Sequence, residues 1–169
     1  RYAQSIAPIS PIAVKYKGTD YLGKKTSSRT LSINYGLLMH EVLHNIRHEG
    51  DEQRAIADME RTGRITASEK EEITSMFDRF WKIEGIRQFF APGLRILNET
   101  SIFTPDNKTY VPDRVIFTDR HATIIDYKFG QEQPRYRQQV INYKNLVEQM
   151  GYAATAYLCY VEQNKLEKV

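Results

Sequence analysis

The segment that most constrains this chain runs from Val111 to Lys128: Val-Pro-Asp-Arg-Val-Ile-Phe-Thr-Asp-Arg-His-Ala-Thr-Ile-Ile-Asp-Tyr-Lys. Two β-forming runs, 111–117 and 122–128, flank a polar stretch that includes Asp119 and Arg120. This pattern predicts an antiparallel hairpin, because branched and aromatic residues suit a pleated surface and Asp suits a turn. With the turn centred on Asp119-Arg120, Thr118 faces His121, and counting outward sets Asp113 opposite Asp126. Side chains opposite each other across strands have Cβ atoms about 4.5–5.5 Å apart. Alternation along the strand then puts Lys128 on the face of Asp126.

Two carboxylates held that close repel each other. A divalent cation between them reverses the sign, and few, hard oxygen donors suit Mg²⁺ or Mn²⁺. A lysine beside such a cation can position or deprotonate a water. The competing reading is two solvated aspartates on an exposed strand face. Asp126 follows Ala-Thr-Ile-Ile, a run expected to be buried, and this context favours a site.

Elsewhere the hydrophobic period is helical. Asn34 can cap a helix from Tyr35 to about Arg47, and Asp51 to Arg61 forms a second. Ala67 to Trp81 places Ile73, Met76, Phe77, Phe80 and Trp81 on one face, a core stripe. After Pro92-Gly93, Leu94 to Phe103 reads as a strand, Asp106-Asn107 as a turn, and Pro134 opens a helix that ends near Met150 with Gly151 as its C-cap. That helix has an apolar stripe of Tyr136, Val140, Tyr143 and Val147. Ala153 to Val161 is a last strand. Helices, a three-strand meander, a helix and a strand predict an α/β or α+β domain around a mixed sheet. Residues 1–30, with Pro8, Pro11 and scattered Lys15, Lys17, Lys24, Lys25 and Arg29, read as a basic extended arm or linker, a solvated tether in the first instance.

Composition narrows the class of partner and compartment. Lys and Arg number 24 against 21 Asp and Glu, a net charge of +3 that is compatible with a polyanion without requiring one. The single cysteine, Cys159, cannot form an internal disulfide, a four-cysteine zinc site or an iron–sulfur cluster, and reads as a buried strand thiol. No stretch approaches the length of a membrane span and no signal peptide is recognisable, so a reducing cytoplasm is the expected compartment. The chain starts at Arg1 rather than methionine and reads as part of a longer or processed polypeptide.

The combination Pro112-Asp113 followed by Asp126-Tyr127-Lys128 resembles the signature of PD-(D/E)XK nucleases. It is similar above all to the RecB/AddA-type nuclease domain at the C-terminus of superfamily 1 (UvrD-like) helicases. Gly36-Leu-Leu-Met-His40 resembles that family's G-x-x-x-H helix, Glu99 an acidic residue on the preceding strand, and Gln139-Val-Ile-Asn-Tyr143 its Q-x-x-x-Y element. The resemblance covers residues 31–169. It implies a restriction-endonuclease-like mixed central sheet flanked by helices, with a helical N-terminal portion. It implies an Mg²⁺- or Mn²⁺-dependent deoxyribonuclease, expected to act as an exonuclease in DNA end processing, recombination or repair. His40, Asp113, Asp126 and the Tyr127 carbonyl would bind metal, with Glu99 and Lys128 joining the two aspartates in catalysis. Gln139 and Tyr143 would support the site or touch DNA, and helicase domains of the same polypeptide would be partners. On the Gln139 helix, Arg135, Arg137 and Lys144 could grip phosphates or be solvated surface. A catalytically silent DNA-binding module of the same fold is the alternative, though it has no need of an intact His40, Asp113, Asp126 and Lys128.

One competing motif is literal. His40-Glu-Val-Leu-His44 matches the H-E-x-x-H of zinc metalloproteases and lies on an expected helix. The extended H-E-x-x-H-x-x-G-x-x-H form fails, because Arg47 and Gly50 stand where Gly and His are required. A protease would also leave Asp113, Asp126 and Lys128 unexplained.

Overall fold

The strongest helix pattern carries its own start signal. The Thr66 hydroxyl accepts from the Glu69 amide, and the Glu69 carboxylate accepts from the Thr66 amide at 2.7 Å, a reciprocal cap that satisfies two helix-end donors. The helix that follows, α3 (Ala67–Phe80), buries Ile73, Phe77 and Phe80. It packs against α1 (Tyr35–Asn45) and α2 (Asp51–Arg61). The computed structural model describes residues 35–169. The expected arm over residues 1–30 and the Asn34 cap lie outside the described residues.

Seven strands follow, β1 (Arg95–Asn98), β2 (Ile102–Phe103), β3 (Thr109–Tyr110), β4 (Arg114–Phe117), β5 (His121–Lys128), β6 (Ala153–Tyr160) and β7 (Lys165–Lys168), with α4 (Pro134–Gln149) between β5 and β6. Five of them form a mixed sheet in the order β1-β4-β5-β6-β7. Only β5 and β6 are parallel, and α4 makes the crossover that a parallel pair requires. The architecture is mixed α/β: four helices and a mixed five-stranded sheet among the described residues.

Alternation along β5 separates two cores. Ile125 and Tyr127 face the α1–α3 layer, where Met39, Leu43, Phe77, Phe80 and Trp81 pack. Ala122 and Ile124 face α4, whose Tyr136, Val140, Tyr143 and Val147 are the buried residues, as its periodicity indicates. Cys159 is buried on β6, and burial pushes its thiol up to about 12, so it is an inert core thiol. None of the described helices is long and apolar enough to cross a membrane.

Three features depart from the sequence reading. The strand expected over Leu94–Phe103 is broken, because Glu99 takes a left-handed φ of 42° that no pleated strand accommodates. Yet one register runs through the break: Asn98 pairs with Arg114, the Glu99 amide donates to the Asp113 carbonyl at 2.9 Å, and Ile102 pairs with Tyr110. The hairpin of β2 and β3 is therefore the outer half of the β1–β4 ladder. The segment Ile86–Phe90 forms a 3-10 turn that buries Ile86, Phe89 and Phe90. The charged tail supplies an edge strand, β7, antiparallel to β6.

The described residue that ties these layers together is Arg114, fully buried on β4. Its guanidinium donates to the Phe89 carbonyl (3.1 Å), the Ile46 carbonyl (3.1 Å), the Arg47 carbonyl (2.9 Å) and Asn98 Oδ1 (3.2 Å). It also lies over the Phe90 ring, 4.0 Å from its centroid. Asn98 in turn donates to the His44 and Ile46 carbonyls. The carbonyls just past the end of α1 are thus satisfied by a cation, which the negative end of a helix dipole favours. Replacing Arg114 by Met should destabilise the fold by about 3–5 kcal/mol, because several buried carbonyls lose their donors at once. Replacement by Lys should recover only part, for want of a planar fork. Urea unfolding of the three proteins measures this.

Candidate active site

The break in the β1–β4 ladder is where the chemistry-bearing side chains collect. Continuing the β4–β5 register by one rung beyond Arg114 and Ile125 sets Asp113 against Asp126. At the far end of that hairpin, the Thr118 amide donates to the His121 carbonyl at 2.8 Å, closing the turn on Asp119-Arg120. Asp113 Oδ2 accepts from the Tyr127 amide at 2.7 Å, which locks the first carboxylate to the strand of the second.

Helix α1 delivers His40 to the same place. Its Nδ1 lies 3.9 Å from Asp113 Oδ1, and its ring packs edge-on against Phe129 at 5.0 Å. His40, Glu99 and Asp113 each offer one ligand atom, and these atoms lie within 4.8 Å of one another, close enough to share a cation. Burial lowers the His40 pKa and Lys128 adds to this, against the pull of Asp126, Glu99 and the Tyr127 backbone. The neutral imidazole, the ligand form, is therefore favoured.

Asp126 sits deeper, almost fully buried. Burial first, and the neighbouring Asp113 second, raise its pKa from 3.8 to about 6, with Lys128 opposing. The Lys128 ammonium lies 2.6 Å from Asp126 Oδ2, an ion pair at the centre of the site. Lys128 also donates to Gln139 Oε1 (3.0 Å) and lies over the Tyr136 ring at 4.7 Å. Gln139 Nε2 donates to the Tyr143 hydroxyl (2.8 Å), which donates to the Val111 carbonyl (3.2 Å). A chain of contacts thus runs from Asp126 through α4 and back to the segment that precedes Asp113.

The residues singled out from the sequence divide into those brought together here and those that are not. His40, Glu99, Asp113, Asp126, Lys128, Gln139 and Tyr143 converge. The tight cation-sized cluster contains Glu99 where the sequence reading places Asp126, because Asp126 is drawn toward Lys128. On α4, Arg137 is taken up by an ion pair with Glu167 of β7. Arg135 is exposed and lies over the Tyr136 ring, and Lys144 is half-buried farther along the helix. Sequence reasoning missed Arg114 and Asn98. Alternation alone carries a signal for the first: Arg114 falls on the strand face opposite Asp113, the face that α1–α3 cover.

The H-E-x-x-H motif is dismantled by its surroundings. Glu41, which would have to serve a zinc-bound water, is clamped by Arg64. His44 Nδ1 lies 3.6 Å from Glu99 Oε2, half-exposed at the rim of the cluster. No protein-family model matches the chain, and no curated protein matches it.

The raised Asp126 pKa has a thermodynamic sign. The folded state binds this proton more tightly than the unfolded chain, so stability falls as pH rises from about 3.8 to 6. Asp126→Asn removes the cost of the buried charge. In EDTA, the variant should melt several degrees above wild type at pH 8, with the gap closing below pH 4. A constant gap across that range would sink this account.

Proposed function

We propose that this chain is a metal-dependent DNA nuclease domain with a restriction-endonuclease-like fold, of the RecB/AddA type. The observation that carries the proposal is the meeting of two units at one end of the sheet. One is the cation-sized cluster of His40, Glu99 and Asp113. The other is the buried Asp126–Lys128 pair beside it. A purely structural ion pair needs no neighbouring cluster of a neutral imidazole and two more carboxylates. Three crowded carboxylates against one lysine, one of them with its pKa raised to about 6 by burial, leave anionic charge that a divalent cation would balance.

The donor set fits a hard cation, Mg²⁺ or Mn²⁺: carboxylate oxygens dominate and one imidazole completes it. His40, Asp113, Glu99 and Asp126 would hold it. Such a cation supplies Lewis-acid polarisation of the phosphoryl group. The remaining work belongs to the chain. Lys128 neutralises Asp126 and orients an attacking water, donating a hydrogen bond to it or, once deprotonated, accepting its proton. Gln139 fixes the lysine amine, and Tyr143 fixes Gln139. A catalytically silent DNA-binding module is the weaker reading, because it gives no use to this amine. Helicase domains in the same polypeptide and a cytoplasmic location belong to the proposal.

The test is a time course on linear and circular DNA with Mg²⁺, Mn²⁺ or EDTA. Asp126→Ala and Lys128→Ala should abolish hydrolysis while circular dichroism stays that of a folded protein. Wild-type turnover by either would refute the assignment. His40→Ala should weaken Mn²⁺ binding about 10-fold or more, read by calorimetry. His44→Ala should change it far less, and equal losses accompanied by peptide hydrolysis in the wild type would point to the protease.

DNA affinity should fall steeply with salt and depend little on sequence, since phosphate contacts release counterions and none of the described elements presents a base-reading helix. Salt-independent, tight binding to one sequence would contradict the proposal.

A further inference from the structure

Helix α4 meets the amine of Lys128 twice. Gln139 Oε1 accepts from it at 3.0 Å, and the Tyr136 ring centroid lies 4.7 Å from it, in addition to the 2.6 Å contact with Asp126 Oδ2. Asp126, Lys128 and Gln139 are site residues by type. Tyr136 reads from the sequence as part of a core stripe, and the fold does bury it, in the layer that holds Val140 and Tyr160. Burial alone asks for an apolar side chain at this position. It does not ask for an aromatic face turned to an ammonium. The Lys128 side chain is only 14% exposed, so its amine is largely out of water, where the attraction between a cation and a ring is strongest.

The start of the helix fixes the ring. Pro134 opens α4, and the Tyr136 amide donates to the Gln133 carbonyl at 3.0 Å. Tyr136 and Gln139 lie at i and i+3, on one face of the helix, and Tyr143 continues that face at i+7. The contacts they make with Lys128 differ in kind. Asp126 is a ligand in the proposed site, and a carboxylate turned toward a cation gives up part of its hold on the amine. Gln139 supplies one neutral acceptor. Lysine has a long flexible stem, and one neutral hydrogen bond does not offset the freedom lost in fixing it. A ring face attracts the ammonium from a further direction. It carries no net charge and offers no ligand atom, so it holds the amine without competing for the cation.

We infer that Tyr136 is a positioning residue for the proposed hydrolysis, its ring face holding the Lys128 amine beside the carboxylate cluster while Asp126 serves as a ligand. This rests on the nuclease reading. It adds a residue that belongs to neither the Asp126-Tyr127-Lys128 element nor the Gln139–Tyr143 element.

The test separates the charge distribution of the ring from its bulk. Phenylalanine and its mono-, di- and trifluorinated forms, placed at Tyr136 by nonsense suppression, keep the shape and progressively strip the ring face of negative charge. The kcat of Mn²⁺-dependent DNA hydrolysis should stay within about 3-fold of wild type with phenylalanine and fall stepwise by about 10-fold across the series. KM, Mn²⁺ affinity and melting temperature should hold. A second readout needs neither metal nor turnover. In EDTA, with lysine carbon-13-labelled at Cε, the Lys128 methylene protons should resonate upfield of the random-coil position, as protons above a ring face do. They should return to that position in Tyr136→Leu and not in Tyr136→Phe. Arg135 also lies over this ring, at 5.5 Å, so the series is repeated with Arg135→Gln. A kcat dependence that vanishes there belongs to Arg135 and overturns the assignment. A kcat that is flat across the series, or a Lys128 resonance that Tyr136→Leu leaves in place, overturns it as well. Hydrolysis with a flat series removes the Tyr136 role alone. Absence of wild-type hydrolysis under any cation removes the nuclease reading and this role with it, leaving only the ring contact that the resonance reports.

Discussion

Everything at the candidate site depends on how Arg114 is held. Its guanidinium is buried with four of its five N–H donors bonded to described acceptors, three of them backbone carbonyls. Two of those carbonyls, Ile46 and Arg47, lie just past the end of the helix that carries His40. The neighbouring rung of the same ladder carries Glu99 and Asp113. One cation therefore fixes the distance between a helix and a sheet, and with it the separation of an imidazole from two carboxylates. Arginine alone can do this. It stays charged when burial lowers its pKa, and its donors leave in a planar fork that can reach the ends of several elements at once.

The second constraint is charge balance. Asp126 lies near the end of a strand that buries Ala122, Ile124, Ile125 and Tyr127, and its partner Lys128 is drawn partly under α4 by Gln139 and the Tyr136 ring. A buried pair of this kind rarely adds net stability, because desolvation offsets most of the attraction. Here a second carboxylate, Asp113, raises the cost further. A fold selected for stability alone would place a leucine at 126. That it carries an acid and an amine there, braced by Gln139 and Tyr143, is the physical argument for chemistry at this end of the sheet.

How much of this was legible beforehand follows from the range of the forces involved. The hairpin register was legible, because a short turn and strict alternation leave no freedom between Thr118 and Asp113. The stripe of Tyr136, Val140, Tyr143 and Val147 was legible for the same reason, a period of 3.6 over a helix with clear ends. The break at Glu99 was not. Nothing between Leu94 and Phe103 is a glycine or proline, and the left-handed φ is imposed by the tertiary setting at the Asp113 rung. Nor was the fate of Arg137, because its pair with Glu167 joins α4 to an edge strand that lies beyond the last strand read from the sequence. Within the site, the type of each residue was readable and their grouping was not. Whether Glu99 or Asp126 joins His40 and Asp113 turns on where Lys128 points, and its orientation is set by Gln139 across a helix–sheet interface.

The interruption of the ladder unites these threads. A continuous β1–β4 pair reaching from Arg95 to Phe103 would commit the Glu99 and Asp113 backbones to regular pairing and hold their side chains at strand spacing. Instead one interstrand bond is kept at that rung, from the Glu99 amide to the Asp113 carbonyl, while Asp113 uses its side chain to hold the Tyr127 amide. Pairing then resumes at Ile102 and Tyr110 in the original register. Rigid sheet therefore lies on both sides of a short irregular segment, and that segment carries the carboxylates. The left-handed residue costs on the order of 1 kcal/mol or more, a strain that persists only because the Asn98–Arg114 rung on one side and the Ile102–Tyr110 rung on the other leave the backbone between them little choice.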